Sequence, residues 1–271
     1  MENKIIKNAS SVFSGRKMVG IYFSGTGNSK YAVELFCKEY DKNTRIFSIE
    51  DIDICRAVKD EEILIFAYPV QYSTVPKMLR DFIIDNKELW ANKKIFVIAT
   101  MGLFSGDGAG ILGRLLKMYG AKIIGGLHLK MPDSIGDIKL LKRSLDVNKV
   151  LIRKAEQKIK NAVHSFNIEK PPQEGIGIFY RIAGFFGQRL YFGHMTKNYS
   201  DKLHVNTDKC IVCGKCEKLC PMKNIKFVNK KILQNNQCTM CYRCINNCPK
   251  QAITLLGKSV VEQSLIEKYL E

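Results

Sequence analysis

Between Met18 and about Asn167 the chain alternates short apolar runs with longer segments in which apolar residues recur at helical spacing. The runs Met18–Phe23, Arg45–Ile49, Ile63–Tyr68, Ile95–Thr100 and Lys122–Leu129 predict strands. Three of them are continuous Val/Ile/Phe stretches, as strands covered on both faces require. Helical patterns fall at Ser29–Tyr40, Val75–Asn86 and Gly110–Tyr119, with a longer one at about Ser144–Phe166. Alternation at this spacing predicts an α/β fold, a doubly wound parallel sheet with helices on both faces. Ligands of such sheets bind beyond the carboxyl ends of the strands, so the loops after Phe23, Tyr68 and Thr100 are the places to look.

The pattern changes twice after that. Pro171-Pro172 stops the long helix, because proline offers no amide donor and constrains the residue before it. A Gly- and aromatic-rich connector follows, with Phe179, Tyr180, Phe185, Phe186, Tyr191 and Phe192. From Leu203 the chain repeats itself with an offset of 28: Cys210, Cys213, Cys216, Cys220 and Pro221 recur as Cys238, Cys241, Cys244, Cys248 and Pro249. The expected organisation is a first domain over 1–167, a connector over 168–202 and a small cysteine domain over 203–271. A repeat this small cannot bury much apolar surface, so something bound to the sulfurs has to hold it together.

Each half of the repeat reads C-x2-C-x2-C-x3-C-P, the spacing of bacterial iron–sulfur ligation. Three thiolates at i, i+3 and i+6 wrap a cubane from one loop. The fourth, followed by proline, turns towards the other cluster, as is usual in two-cluster proteins. This assigns Cys210, Cys213, Cys216 and Cys248 to one [4Fe-4S] cluster, and Cys238, Cys241, Cys244 and Cys220 to a second. Zinc and disulfides are the alternatives. Structural zinc sites favour separated cysteine pairs, often with His, and no His lies between the first and last of these cysteines. The module resembles the bacterial two-cluster ferredoxins, from which it departs in being basic: Lys215, Lys218, Lys223, Lys226, Lys230, Lys231 and Arg243.

The loop Phe23-Ser24-Gly25-Thr26-Gly27-Asn28-Ser29 stands between a predicted strand and a predicted helix. Backbone amides at a helix start, with the Ser24, Thr26 and Ser29 hydroxyls, can surround a phosphate without a charged side chain. Neither G-x4-GK[ST] nor G-x-G-x-x-G is present, which favours a monophosphate ligand over ATP or NAD. The loop resembles the flavodoxin phosphate loop, [ST]-x-T-G-x-[ST], and the order of elements extends the likeness over residues 18–167. That resemblance implies bound FMN and a five-stranded flavodoxin-like sheet. It also implies that the loops Tyr68-Pro69-Val70-Gln71-Tyr72 and Thr100-Met101-Gly102-Leu103-Phe104-Ser105-Gly106-Asp107 hold the isoalloxazine ring. Tyr72 or Tyr68 is the candidate for stacking on its face, with Phe104 a second. Taken whole, the chain resembles the flavodoxin–ferredoxin fusions of anaerobic bacteria, the EFR1-family ferredoxins.

The net charge of +17 is unevenly placed: +3 over residues 1–138, +8 over 139–202, +7 over 203–250 and −1 over the rest. A basic surface suits an acidic partner, nucleic acid or anionic lipid. Nucleic acid is set aside, because the charge follows the connector and the cysteine module without any recognised binding fold. The expected partner is a redox protein with an acidic docking face. The apolar run Ile176–Phe192 is broken by Arg181, Gln188 and Arg189. It is read as packing between domains, with a membrane surface as the lesser alternative. The polar N-terminus lacks a signal-peptide core, and clustered cysteines suit a reducing compartment, so the expected location is cytoplasmic. Cys37 and Cys55 are expected to be inert thiols, and no motif links the four histidines to a nucleophile. The expected function is electron transfer between the clusters and FMN, as a carrier or adaptor. The alternative is an FMN-dependent oxidoreductase that reduces a small acceptor such as a quinone, a flavin or a nitro compound.

Overall fold

In the computed structural model, residues 18–103, 106–184, 199–228 and 231–270 are described. The five expected strands form one parallel sheet: β1 (Met18–Tyr22), β2 (Arg45–Ser48), β3 (Ile63–Pro69), β4 (Lys94–Met101) and β5 (Lys122–Lys130). Their order is β2-β1-β3-β4-β5, the flavodoxin-like doubly wound order, with its switch point between β1 and β3. The helices are α1 (Asn28–Tyr40), α2 (Ile54–Lys59), α3 (Lys77–Asp85), α4 (Gly108–Lys117) and α5 (Leu145–Asn167).

The period-two alternation of β3 divides the core. Ile63, Ile65 and Ala67 point into one apolar layer, together with Val33 and Phe36 of α1 and Ile152 and Ile159 of α5. Leu64, Phe66 and Tyr68 point into the other, with Val58 of α2, Leu79 of α3 and Leu112 of α4. Both faces are covered, which is why the strand runs are continuously apolar. Helix α2 was not anticipated: its six residues are too few to show a period. Cys37 is buried beside Gly20, where a Cβ would lie 2.9 Å from its sulfur. Burial pushes its thiol up to about 12.

The connector lies along the sheet edge. Gly126 N donates to Pro172 O at 2.7 Å and Glu174 N to Gly126 O at 2.9 Å, so the Pro-Pro segment continues the pairing of β5. Helix α6 (Ile178–Gly184) follows, and it corrects the expected interdomain packing where it is described. Ile178, Phe179 and Ile182 are all more than half exposed. Phe185, Phe186, Tyr191 and Phe192 lie outside the described residues. No helix among the described residues is long and apolar enough to cross a membrane.

The cysteine module is small and internally symmetric. Strand β6 (His204–Val205) pairs with β9 (Ile253–Thr254), and β7 (Ile225–Val228) with β8 (Lys231–Gln234), both antiparallel. Helices α7 (Lys215–Leu219) and α8 (Arg243–Asn247) stand 28 residues apart, like the cysteines. The left-handed backbone positions repeat as well: Val212 and Met240, Gly214 and Tyr242, Lys223 and Gln251. The segment after the module returns to the sheet, where Ile266 and Tyr269 join the α1/α5 layer.

Candidate functional site

Helix α1 begins after Gly27, whose φ of 96° makes the left-handed turn out of β1. No side chain caps this helix and no acidic residue stands in its first turn, so the positive end of its dipole is uncompensated there. Ser24 Oγ accepts from Gly27 N at 3.1 Å, while the Thr26 hydroxyl meets Ser134 Oγ at 3.1 Å and Ser29 Oγ meets Thr100 Oγ1 at 2.7 Å. Asn28 Nδ2 donates to Pro132 O at 2.8 Å. Its Oδ1 is buried without a partner among the described residues, an acceptor open to a ligand hydroxyl or N–H. The loop therefore fits a phosphate ester that carries donor groups farther along.

This loop opens into a cleft of about 500 Å³, within the range of small-molecule and cofactor sites. Ser24, Gly25, Thr26, Asn28 and Ser29 form one wall, and Pro69, Val70 and Tyr72 after β3 another. Thr100, Met101 and Gly102 after β4 complete the part expected from sequence. Of the two stacking candidates, Tyr72 lines the cleft and burial pushes its phenol pKa up. Tyr68 does not: it is fully buried between the sheet and α4, its hydroxyl donating to Gly108 O at 2.5 Å. Gly106 also stands off the cleft, in a left-handed turn before α4, and Phe104 lies outside the described residues.

The cleft has walls that the sequence reading did not name. The loop after β5 contributes Pro132, Asp133 and Ser134. Asp133 accepts from Ile135 N at 2.8 Å, and burial raises its carboxyl pKa against the pull of Lys142 and Arg143. The rule that ligands bind at the carboxyl ends of strands would have included this loop. The remaining wall comes from the far end of the chain: Tyr199, Met240, Cys241, Tyr242 and Leu256.

The eight cysteines of the repeat surround two cavities. One is rimmed by Cys220, Cys238, Cys241 and Cys244. The other is rimmed by Cys210, Cys213, Cys216 and Cys248. In each, the fourth cysteine comes from the opposite repeat. Among the described residues no three His, Cys, Asp or Glu side chains are grouped as a single ion would need. Sulfurs spread around a space suit the corners of an iron–sulfur cubane. Backbone amides also point at three of them: Asn224 N donates to Cys220 Sγ at 3.2 Å and Ala252 N to Cys248 Sγ at 3.3 Å, again 28 residues apart, and Met240 N donates to Cys238 Sγ at 3.4 Å. Without metal, burial pushes the Cys216 thiol to about 11 and Cys238 to about 12. Metal coordination reverses that, since a coordinating thiol is deprotonated outright.

Cys241 belongs to both the second cysteine cavity and the flavin-type cleft, so the two sites share a wall. The junction is tight. A Cβ on Gly25 would sit 1.9 Å from Cys241 O, so only glycine allows the phosphate loop and the cysteine loop to meet. Gln71 Nε2 donates to Met240 O at 3.1 Å. The Arg243 guanidinium donates to both Glu50 carboxylate oxygens, at 2.8 and 2.6 Å, and to Ser24 O at 2.8 Å. Asp137 accepts from the amides of Leu255, Leu256 and Gly257 and from the Tyr242 hydroxyl.

Known proteins resemble parts of this chain. Residues 202–249 match the family model of the 4Fe-4S dicluster domain. No curated protein matches the chain. Among solved structures, oxidised flavodoxin 2 of Bacillus cereus is 18% identical, covers 57% of this chain and 97% of its own, and has a TM-score of 0.41. The two-electron reduced flavodoxin of Megasphaera elsdenii is 17% identical over 54% of this chain and 99% of its own, with a TM-score of 0.39. The Trp repressor binding protein of Bacillus subtilis is 17% identical over 54% and 96%, with a TM-score of 0.41. By its own strand order and by the domain match, the chain joins a flavodoxin-like sheet to a 4Fe-4S dicluster domain, the architecture of a flavodoxin–ferredoxin fusion.

Proposed function

We propose that the protein is an electron carrier, working in a reducing cytoplasm, in which two [4Fe-4S] clusters and one FMN are held within transfer distance of each other. Cys210, Cys213, Cys216 and Cys248 would hold one cluster, and Cys220, Cys238, Cys241 and Cys244 the other. The phosphate loop from Ser24 to Ser29 and the loops after β3 and β4 would hold the flavin. When bound, the clusters exchange single electrons and the flavin one or two. The observation that carries the reading is the shared wall at Cys241.

The chain's own part is placement. Arg243, Gln71 and Asp137 fix the cysteine module against the cleft, and Tyr72 and Tyr242 line it. Joining the sites on one chain keeps donor and acceptor at high effective concentration. Anaerobic reconstitution should yield about eight irons and one flavin per chain. Cys241→Ser should slow flavin reduction by dithionite in stopped flow more than Cys213→Ser does. Zinc among the thiolates, four irons per chain, or equal rates in the two variants would overturn the reading.

A second reading has a specific support. Asp133 puts a half-buried carboxyl with a raised pKa on the cleft wall, a group able to hold a proton beside the ring loops. An FMN-dependent reductase of a quinone, flavin or nitro compound would use it. Rapid multiple turnover with such an acceptor, lost in Asp133→Asn, would select that reading over the carrier.

A further inference from the structure

We propose that the outward face of the first cysteine loop, Ile211–Lys215, is the docking surface for an acidic electron-carrier protein; this rests on the electron-transfer reading above. The module is internally symmetric. The two repeats share more than cysteine spacing: φ is 52° at Val212 and 54° at Met240, 71° at Gly214 and 60° at Tyr242, and 49° at Lys223 and 48° at Gln251. The loops around the two cavities are therefore copies in shape.

Their surroundings differ completely. In the second repeat Thr239, Met240 and Tyr242 are at most 5% exposed, because that face is pressed on the cleft of the flavodoxin-like sheet. The matching positions in the first repeat are more open: Ile211 is 57% exposed and Val212 45%, Gly214 is half-buried, and the neighbouring Cys213 and Lys215 are exposed. Ile211 and Val212 are an exposed apolar pair beside the sulfurs that would hold the first cluster, a small contact that the surrounding lysines frame. One copy of the face thus has its partner inside the molecule, and the other presents the same shape outwards.

The internal junction also shows what chemistry the outer copy would meet. Arg243 is bound to the carboxylate of Glu50, and its counterpart 28 residues earlier is Lys215. Lys215 and Lys250 line the same cavity as Cys213, with Lys209 and Lys218 exposed nearby in the chain. The matching partner presents carboxylates around a small apolar contact. In the exchange the carrier gives up one electron and this protein gains it; no bond is made or broken.

The test uses the loaded full-length protein in anaerobic stopped flow, with a reduced acidic two-cluster ferredoxin as probe and reduced methyl viologen as a small cationic reference. Lys215→Glu and Ile211→Asp should each slow reduction by the ferredoxin about tenfold relative to methyl viologen at low salt. Added salt should erase most of the Lys215→Glu effect. Lys87→Glu makes the same charge change before β4, at the amino ends of the strands, and should leave the ratio unchanged. An unchanged ratio in both loop variants, or an equal fall in Lys87→Glu, overturns the docking face. Failure of methyl viologen to reduce the flavin of the unaltered protein would instead overturn the electron-transfer reading beneath it.

Discussion

Asp137 offers a quantitative test of how the two modules are joined. It is 4% exposed, and its Oδ2 accepts from Leu255 N, Leu256 N and Gly257 N at 2.7, 2.9 and 3.1 Å, while Oδ1 accepts from the Tyr242 hydroxyl at 3.0 Å. Asp137→Ala leaves three amides and a phenol without an acceptor. At about 1 kcal/mol for each stranded donor, the loss is about 4 kcal/mol, a large part of the 5–15 kcal/mol that typically holds a protein folded. Asp137→Asn keeps one carbonyl oxygen for the three amides but loses the charge and turns an NH2 donor towards the Tyr242 hydroxyl. It strands one donor instead of four, so it should cost about half as much. The assay is urea unfolding of the loaded protein, followed by visible absorbance of the cofactors and by fluorescence of Trp90. Trp90 is the one tryptophan and is fully buried in the sheet core, away from the junction. With a slope of about 2 kcal/mol per molar urea, Asp137→Ala should lower the cofactor midpoint by about 2 M. A cofactor midpoint shifted by less than about 0.3 M would refute the reasoning, as would equal losses in the two variants.

Gly25→Ala should force the phosphate loop away from Cys241 O, at an overpacking cost of about 1–3 kcal/mol, and weaken FMN retention about tenfold in equilibrium dialysis. Tyr72→Ala should alter the flavin absorbance spectrum with little change in Tm, whereas Tyr68→Ala should cost about 3–5 kcal/mol of stability, read by thermal unfolding. His128 Nε2 accepts from Ala109 N at 3.1 Å, and burial holds the imidazole pKa down to about 4. The unfolded chain takes up that proton near its ordinary value of 6.5, so stability is full above 6.5 and falls as pH drops towards 4. The expected loss is on the order of 3 kcal/mol, and His128→Gln should flatten that part of the pH–Tm profile.

What sequence could show here followed from local patterns. The strand runs are continuous because both faces are covered, and the cysteine spacing is a local demand of the bound group, so both were readable. Tyr68 was readable in principle: it keeps step with Leu64 and Phe66 in the period of two, which turns it into the α3/α4 layer, whereas Tyr72 lies beyond the strand. The β5 loop carries no glycine motif or aromatic cluster at Pro132–Ser134 to announce it. The wall from Tyr199 to Leu256 depends on how two modules meet, and no local pattern encodes that. Gly25 shows the limit well. A phosphate loop accounts for glycine there, but contact with a carbonyl 216 positions later accounts for it equally.

The return of the chain after the cysteine module has a consequence for biosynthesis. Ile266 N donates to Thr26 O at 2.9 Å, and the Ile266 side chain packs where a Cβ on Gly27 would lie. A nascent polypeptide therefore releases the first-made nucleotide loop from the ribosome long before the segment that braces it exists. The loop made first is fully shaped only once the segment made last has folded back on it, so a chain cut short before Leu265 should retain less flavin than the full-length protein.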